Sequence, residues 1–511
     1  MPVSYWIAST PETAYPPLEG TVRADVAVVG AGITGITTAR LLKQGGATVA
    51  LVEADGVARG VTGYTTAKLT SGHALVYDDL IGRFGEQEAR TYAEANQAAI
   101  ELIAALVGEL GIECDFERTD NYVYAQRAEQ RERIEREVDA ARRAGLPAEL
   151  VEETPLPFAV EAAVRLPNQA QFHPRKYLLP LVATIPGDGS HVFERTKIVA
   201  VEDTGATPRC RVVSAERAEV VADHVILATH IPFADRGLFF TKVHPSRSYA
   251  VAARIATESA PSGMFINTGT PTRSIRSVAG DGSRLILVGG EGHKPGEDDD
   301  TRERYGALEA FLRDEFPAAA AVTHRWSTQD YMSVDRVPYV GRLTRRGDRV
   351  LVATGFGKWG LTNGTAAARM LADAVLGSEN PWASLYDAKR LDVRASARRF
   401  VTENASVARH FVGDRLRLGD RRSASELGPG EGAVLRAGGR LVAVSRTDDG
   451  RLVALSPLCT HLRCVVAWNR AERSWDCPCH GSRFSSEGKV IQGPAVDDLE
   501  PRPLPALLEQ P

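Results

Sequence analysis

The chain has 511 residues, too many for one ordinary domain; at roughly 150 residues per domain it should hold two to four units. Hydrophobic residues are 43% and charged residues 25%, and 61 Lys+Arg against 65 Asp+Glu leave a net charge of −4, so nothing in the balance favours nucleic acid or an anionic membrane surface. No segment reaches the roughly 18 apolar residues that span a bilayer, and the opening MPVSYWIASTPETAYPP lacks the basic and apolar regions of a secretory signal, so the expected location is the cytoplasm, without membrane insertion.

The first readable element is DVAVVGAGITGITTARLLKQGGATVALVEAD, residues 25–55. Val26 to Val29 are a continuous apolar run, as a buried parallel strand requires. Gly30, Gly32 and Gly35 follow in G-x-G-x-x-G spacing, and Ile36, Ala39 and Leu42 recur at helical period. A second apolar strand, Thr48 to Val52, ends in Glu53. The pattern predicts a βαβ dinucleotide cradle. Gly30 permits the turn, Gly32 lets the backbone approach a pyrophosphate, Gly35 lets helix and strand close up, and the helix N-terminus at Ile33 and Thr34 offers N–H groups to phosphate. Glu53 is placed to accept from a ribose hydroxyl.

The same cradle serves FAD or NAD, and later stretches decide for FAD. Residues 60–73, GVTGYTTAKLTSGH, offer Thr62, Thr65, Thr66 and Lys68 to a phosphate and ribityl chain. His73 reads as a loop histidine capping backbone groups, with contact to the flavin as the alternative. VVADHVILATHIPF (220–233) supplies another strand and turn, with Thr229 at its end. RVLVATGFGKWGLTNGTAA (349–367) gives a strand, a Gly-rich turn through Gly355 and Gly357, and a helix from Trp359, Gly360 and Thr362 whose N-terminus suits the electron-rich pyrimidine of a reduced flavin. By contrast, LILVGGEGHK (285–294) is followed by a segment that cannot continue a helix; its Gly-rich part is expected to be a loop and not a second nucleotide cradle.

These motifs, with Asp335, Pro338 and Gly341 in RWSTQDYMSVDRVPYVGRL (325–343), resemble the D-amino-acid oxidase and glycine oxidase superfamily of FAD enzymes over residues 1 to about 390. The resemblance implies an α/β Rossmann-type FAD domain, in parts at about 1–85, 160–240 and 325–390, with an inserted α+β substrate domain at about 86–160 and 241–324. It implies FAD as cofactor and a small amine or amino acid as substrate. Candidate substrate residues are Arg247, Tyr249, Arg276, Tyr331 and Lys358, the arginines because their fork suits a carboxylate. Covalent flavin attachment is not expected through cysteine, since none lies in the late flavin block.

Four of the six cysteines fall in CTHLRCVVAWNRAERSWDCPCHGSRF, residues 459–484; Cys114 and Cys210 stand alone and read as inert. Such clustering points to metal or redox chemistry. Cys459-x-His461 and Cys477-x-x-His480 could hold one zinc ion. Three features argue against zinc: Cys464 and Cys479 are left over, one per loop; Gly481-Ser482-Arg483-Phe484 follows; and VIQGPAVDDL (490–499) comes shortly after. Covalent haem would want C-x-x-C-H, which CPCH does not supply. The whole of 423–511 resembles a Rieske [2Fe–2S] domain, a small all-β module. That resemblance implies Cys459 and Cys477 on one iron, His461 and His480 on the other, a Cys464–Cys479 disulfide tying the loops, and Ser482 hydrogen-bonding sulfur. Two imidazoles in place of thiolates raise the potential, to roughly −150 to +300 mV against about −400 mV for all-thiolate plant-type clusters. Phe484 stands where high-potential members carry Tyr, which implies a value below theirs; Arg463 replaces a common Gly.

Residues 391–422 are expected to be a packed helical connector. The full order resembles the Rieske-containing FAD-dependent oxidoreductases. It implies substrate oxidation by hydride transfer to FAD, with electrons leaving singly through the cluster to an unidentified acceptor. Two alternatives are a reverse flow, from an external donor through the cluster to FAD for reduction or oxygenation, and a redox sensor or carrier without turnover.

Overall fold

The structure, a computed structural model, describes residues 2–203, 210–233, 237–280, 283–296, 300–344, 347, 349–390, 423–437 and 440–503. The connector expected at 391–422 lies outside them. The first sheet runs, in spatial order, Tyr339–Arg342, Val350–Thr354, Glu219–Leu227, Thr21–Val29, Val49–Val52 and His191–Phe193. All neighbours pair parallel except the first two. Val26 to Val28 and Val49 to Val52 are fully buried, as their unbroken apolar runs demand. Helices Ile33–Gln44 and Gly360–Leu376 pack against each other beside this sheet, close enough that a Cβ on Gly364 would come 2.6 Å from Thr34 Oγ1.

The second sheet is mixed. Its order is Val322–Ser333, Val243–Ile255, Arg284–His293, Arg273–Ala279, Met264–Asn267, Glu117–Ala125, Ala162–Gln171 and Lys68–Leu69. Two expectations change here. The change of domain expected at 325 falls inside strand Val322–Ser333, which pairs along Val243–Ile255. The Gly-rich piece at 285–294, expected as a loop, is strand: Gly289 and Gly290 pair with Ala250 and Tyr249 on one side and with Ser274 and Arg273 on the other. A Cβ on Gly290 would strike Thr272 O, so the glycine is there for the close approach of two strands.

The C-terminal module is all β. One antiparallel sheet joins Gly432–Ala437, Arg440–Arg446 and Leu452–Leu455; the other joins Ala467–Asn469, Ser474–Asp476, Arg483–Ser485 and Val490–Gln492. Its core gathers Leu455, Val466, Trp475, Phe484 and Leu499 around the four cysteines.

This module is seated on the strand pair Val243–Ile255 and Val322–Ser333. Alternate residues of a strand point to opposite faces. In register, Pro245 opposes Tyr331 and Arg247 opposes Gln329 on one face; Ser246 opposes Asp330 and Ser248 opposes Thr328 on the other. The first face meets the module. Tyr331 donates to His480 O at 2.9 Å and lies 3.1 Å from Gly493 O; Gln329 Nε2 donates to Gly481 O at 2.7 Å. A Cβ on Gly481, φ 76°, would come 2.6–3.0 Å from side-chain atoms of Gln329, Pro245 and Tyr331, so glycine is what lets these side chains close on the loop.

Arg247 is fully buried between Glu472 and Asp476 of the module, 3.7 Å from each, and none of its nitrogens reaches a hydrogen-bond acceptor among the described residues. Arg483 completes the group, 3.8 Å from Glu472 and 3.2 Å from Asp476. Two guanidinium groups and two carboxylates balance. Burial pushes the Asp476 carboxyl upward, but Arg483 and Arg247 outweigh it and leave the pKa lowered. Truncating Arg247 leaves two buried carboxylates sharing one cation. Arg247→Ala should therefore cost about 3–5 kcal/mol in denaturant unfolding of the full chain, the usual penalty for breaking a buried pair from one side.

Candidate functional site

The Gly-rich turn sits where the sequence places it. Gly30 has φ 102° and its N–H donates to Val52 O at 2.8 Å. A Cβ there would lie 2.6 Å from Ala228 O, and a Cβ on Gly35 would run into Gly30 O. Helix Ile33–Gln44 starts at Gly32, which has no side chain to cap it; Ile33 N donates to Thr62 Oγ1 at 3.2 Å, and the helix end, with its partial positive charge, lies on the cavity wall where an anion would sit. Glu53 Oε2 accepts from Ala31 N at 2.7 Å and Oε1 from Asp55 N at 3.1 Å; burial raises its pKa and those N–H groups oppose the rise.

One continuous cavity of about 2270 Å³ opens over this turn. Every expected cofactor residue lines it except Gly35, Gly355 and Thr362. Gly35 lies beneath the turn. Gly355, φ 78°, is pressed on Val243, Ser333 and Tyr339. Thr362 donates to Thr70 O at 3.2 Å, behind the wall. A turn that rejects Cβ atoms, a helix N-terminus on the cavity wall and an acid at the second strand's tip together fit FAD.

The substrate candidates divide between the cavity wall and the protein interior. Lys358 and Tyr249 line the cavity. Lys358 Nζ donates to Ser248 Oγ at 2.6 Å; burial lowers its pKa, with Asp330 opposing. Its side chain is open to the cavity, though protein surrounds that space. Tyr249 OH lies 3.0 Å from His293 Nε2. Arg247 and Tyr331 are not on the wall: they occupy the reverse face and hold the C-terminal module. Arg276 is also off the wall. It is buried against Ala67 O, Phe172 O and the Trp6 ring, and burial lowers its pKa to about 9. These corrections share one physical reason: whether a strand residue faces ligand or protein depends on sheet register, which a single sequence does not reveal.

His73 lines the cavity and also bonds backbone. Its Nε2 meets Thr70 O at 2.7 Å, its Nδ1 meets Tyr92 OH at 2.7 Å, and its ring stacks on Trp359 at 4.7 Å. Burial drops its pKa to about 3, so it is neutral at pH 7. Three wall groups gave no signal in the sequence. Glu291, φ 52°, is clamped by Arg273 at 2.7 Å and Arg304 at 3.3 Å. His230, φ 68°, donates through Nε2 to Asp330 at 3.0 Å. Gln492 reaches in from the C-terminal module and donates to His230 Nδ1 at 3.1 Å. That pairing joins residues 262 positions apart, beyond any local pattern.

In the module, a disulfide joins Cys464 and Cys479, while Cys459 and Cys477 are buried and outside any disulfide. Three sulfurs, of Cys464, Cys477 and Cys479, lie within 4.8 Å of one another, but two of them are committed to the disulfide. The remaining donor set is two thiols and two imidazoles. The His461 and His480 rings stand edge to face, 5.0 Å apart, with Phe240 against both. A hydrogen bond from Cys477 holds the Cys459 thiol down to about 6, and Cys477 is pushed well up in return. Ser482 Oγ bonds Cys459 and accepts from Ala495 N at 3.0 Å. Phe484 is fully buried and brings no hydroxyl. Two soft sulfurs and two imidazoles on facing loops fit a Rieske centre.

The FAD dependent oxidoreductase family model matches residues 25–374, and the Rieske [2Fe-2S] domain model matches 421–503. The chain is similar to YhfW of Bacillus subtilis (strain 168), named for a Rieske 2Fe-2S iron-sulfur protein: 36% identical over 500 residues, covering 98% of this chain and 97% of that one. Over 55 residues it is 56% identical to the cytochrome b6-f complex iron-sulfur subunit of Synechococcus sp. (strain JA-3-3Ab), 10% of this chain and 32% of that one. Among solved structures, glycine oxidase from Geobacillus kaustophilus superposes with TM-score 0.62 at 18% identity, covering 73% of this chain and all of that one. L-proline dehydrogenase from P. horikoshii gives 0.60 at 19%, covering 72% and 98%. At these identities the likeness is one of fold.

Gly30→Ala should yield protein that retains the iron–sulfur envelope but carries less than about a tenth of the normal flavin, read from visible absorbance after desalting. Cys459→Ser should do the reverse: flavin retained, iron lost by elemental analysis.

Proposed function

From a chain that belongs to the FAD dependent oxidoreductase family and ends in a Rieske [2Fe-2S] domain, we propose an enzyme that oxidises a small amine or amino acid and exports the electrons through its C-terminal module. Bound in these sites, the flavin supplies a two-electron acceptor for hydride and the Rieske centre a one-electron exit. The observation that carries the reading is the seating of the module: its His480 loop bonds Gln329 and Tyr331 of a strand that also lines the flavin cavity. A fixed, short path between the two sites is what such an exit needs.

The cavity front is polar where a small zwitterion would need it. Lys358 is placed to hold a carboxylate, and Ser248 fixes its ammonium. Tyr249, on the Arg247 side of its strand but still on the cavity wall, and His293 present a hydroxyl–imidazole pair that can accept or donate at an amine. Trp326 and Phe356 add apolar wall that excludes water. Residues 285–290 are paired along both edges as strand and open no helix behind them, which supports a substrate that reacts directly at the flavin.

The test is anaerobic mixing with a panel of amino acids and secondary amines, against NADH and NADPH. One or more amines should bleach the flavin bands and yield the imine hydrolysis product. Bleaching by NAD(P)H alone would favour the reverse flow. Lys358→Met should raise KM for a carboxylate-bearing substrate by at least about tenfold with a smaller effect on kcat, the mark of a binding group. Because burial lowers the Lys358 pKa, its charge is lost at a lower pH than for an ordinary lysine. KM should therefore rise with pH through that lowered value, and the Met variant should lose the dependence.

A further inference from the structure

The segment from Val490 to Asp498 touches both cofactor sites. On one side it closes over the cluster loops. Ala495 N donates to Ser482 Oγ at 3.0 Å, Gly493 O lies 3.1 Å from Tyr331 OH, and Thr460 Oγ1, beside His461, donates to Asp497 O at 2.6 Å. On the other side it is wall of the nucleotide cavity. Val490, Gln492 and Val496 line the same continuous space as Gly30, Glu53 and Thr229. Gln492 donates to His230, one residue beyond Thr229, and Asp497 and Asp498 act electrostatically on Lys197, which also lines that space.

The His230 contact is built against a backbone preference. His230 has φ 68°, a region that disfavours any residue with a Cβ. Its carbonyl accepts from Thr354 Oγ1 at 2.6 Å, its Nε2 is fixed by Asp330, and its ring packs on Tyr331 at 4.8 Å. Every contact aims Nδ1 at the module. A group held this way on one cofactor's wall, and bonded to the loop that closes the other's site, ties the two sites mechanically.

We infer that Val490–Asp498 is a shared clamp, so that filling either cofactor site tightens the other. FAD orders the cavity wall that Gln492 completes; the cluster orders the loop that carries Gln492. Linkage then requires reciprocity at equilibrium: each cofactor raises the affinity for the other by the same factor. His230 and Gln492 are positioning residues in this scheme. The inference rests on the two cofactor sites and not on the choice of substrate, so it stands or falls separately from the amine reading.

The test uses full-length protein made in riboflavin-limited and riboflavin-replete cells, which varies flavin occupancy however the flavin is held. Iron release to a chelator is followed by the decay of the cluster's visible circular dichroism. Flavin-replete protein should release iron at least about tenfold more slowly. Gln492→Ala and, from the opposite side, His230→Ala should each shrink that ratio to within about twofold, and the double variant should do no more than either single one. Glu487→Ala, on the module and paired with exposed Arg451, should keep the wild-type ratio. Equal release rates with and without flavin, or a ratio unchanged in both variants, would overturn the clamp. Should the Gln492 variant fail to assemble a cluster, the His230 variant, which alters no module residue, decides.

Discussion

The two-residue period of a β-strand organises this molecule. Strands Val243–Ile255 and Val322–Ser333 turn Ser246, Ser248, Thr328 and Asp330 to the flavin cavity and Arg247 and Tyr331 to the C-terminal module; Pro245 and Gln329, on the module side, also border the cavity at the junction. One sheet layer is therefore the wall of one redox site and the seat of the other. Sliding either strand by one residue would exchange the faces, burying Asp330 against the module and turning Arg247 into the cavity. The register is held by long pairing on both edges of Val243–Ile255 and by the glycine contacts at Gly289, Gly290 and Gly481.

Charge at the seat is conserved by pairing and not by exposure. Arg247 and Arg483 face Glu472 and Asp476 with almost no solvent, so removing one member is costly while the complete set is neutral. Such a group contributes little net stability but rejects any misplaced docking, because each wrong pose strands a buried charge. Phe240, set against both cluster histidines, adds an apolar contact at the same junction.

What could be read from the sequence was local. The Gly30–Gly32–Gly35 turn with Glu53 forms one short stretch and the four cluster donors, Cys459 to His480, another, and within each the spacing is dictated by a ligand's size. Cys464 and Cys479 followed from the family resemblance and are joined in the structure. The misreadings were non-local. Arg247 and Tyr331 looked like ligands because polar side chains on strands suggest a site, and only register reveals that they point at a partner module. Gly289 and Gly290 read as a loop because the residues after them cannot continue a helix; in the structure they lie within a strand, where Gly290 admits a close neighbour. The His230–Gln492 bond left no trace in any local pattern.

The central claim is that electrons pass from the cavity to the module inside one chain. Anaerobic rapid freeze-quench after mixing with a reducing substrate, with electron paramagnetic resonance of the cluster as readout, measures this passage. The account predicts a cluster-reduction rate constant that follows flavin bleaching and stays the same across a hundredfold range of protein concentration. A rate that climbs in proportion to protein concentration, or a cluster that stays oxidised beside a fully bleached flavin, would contradict it.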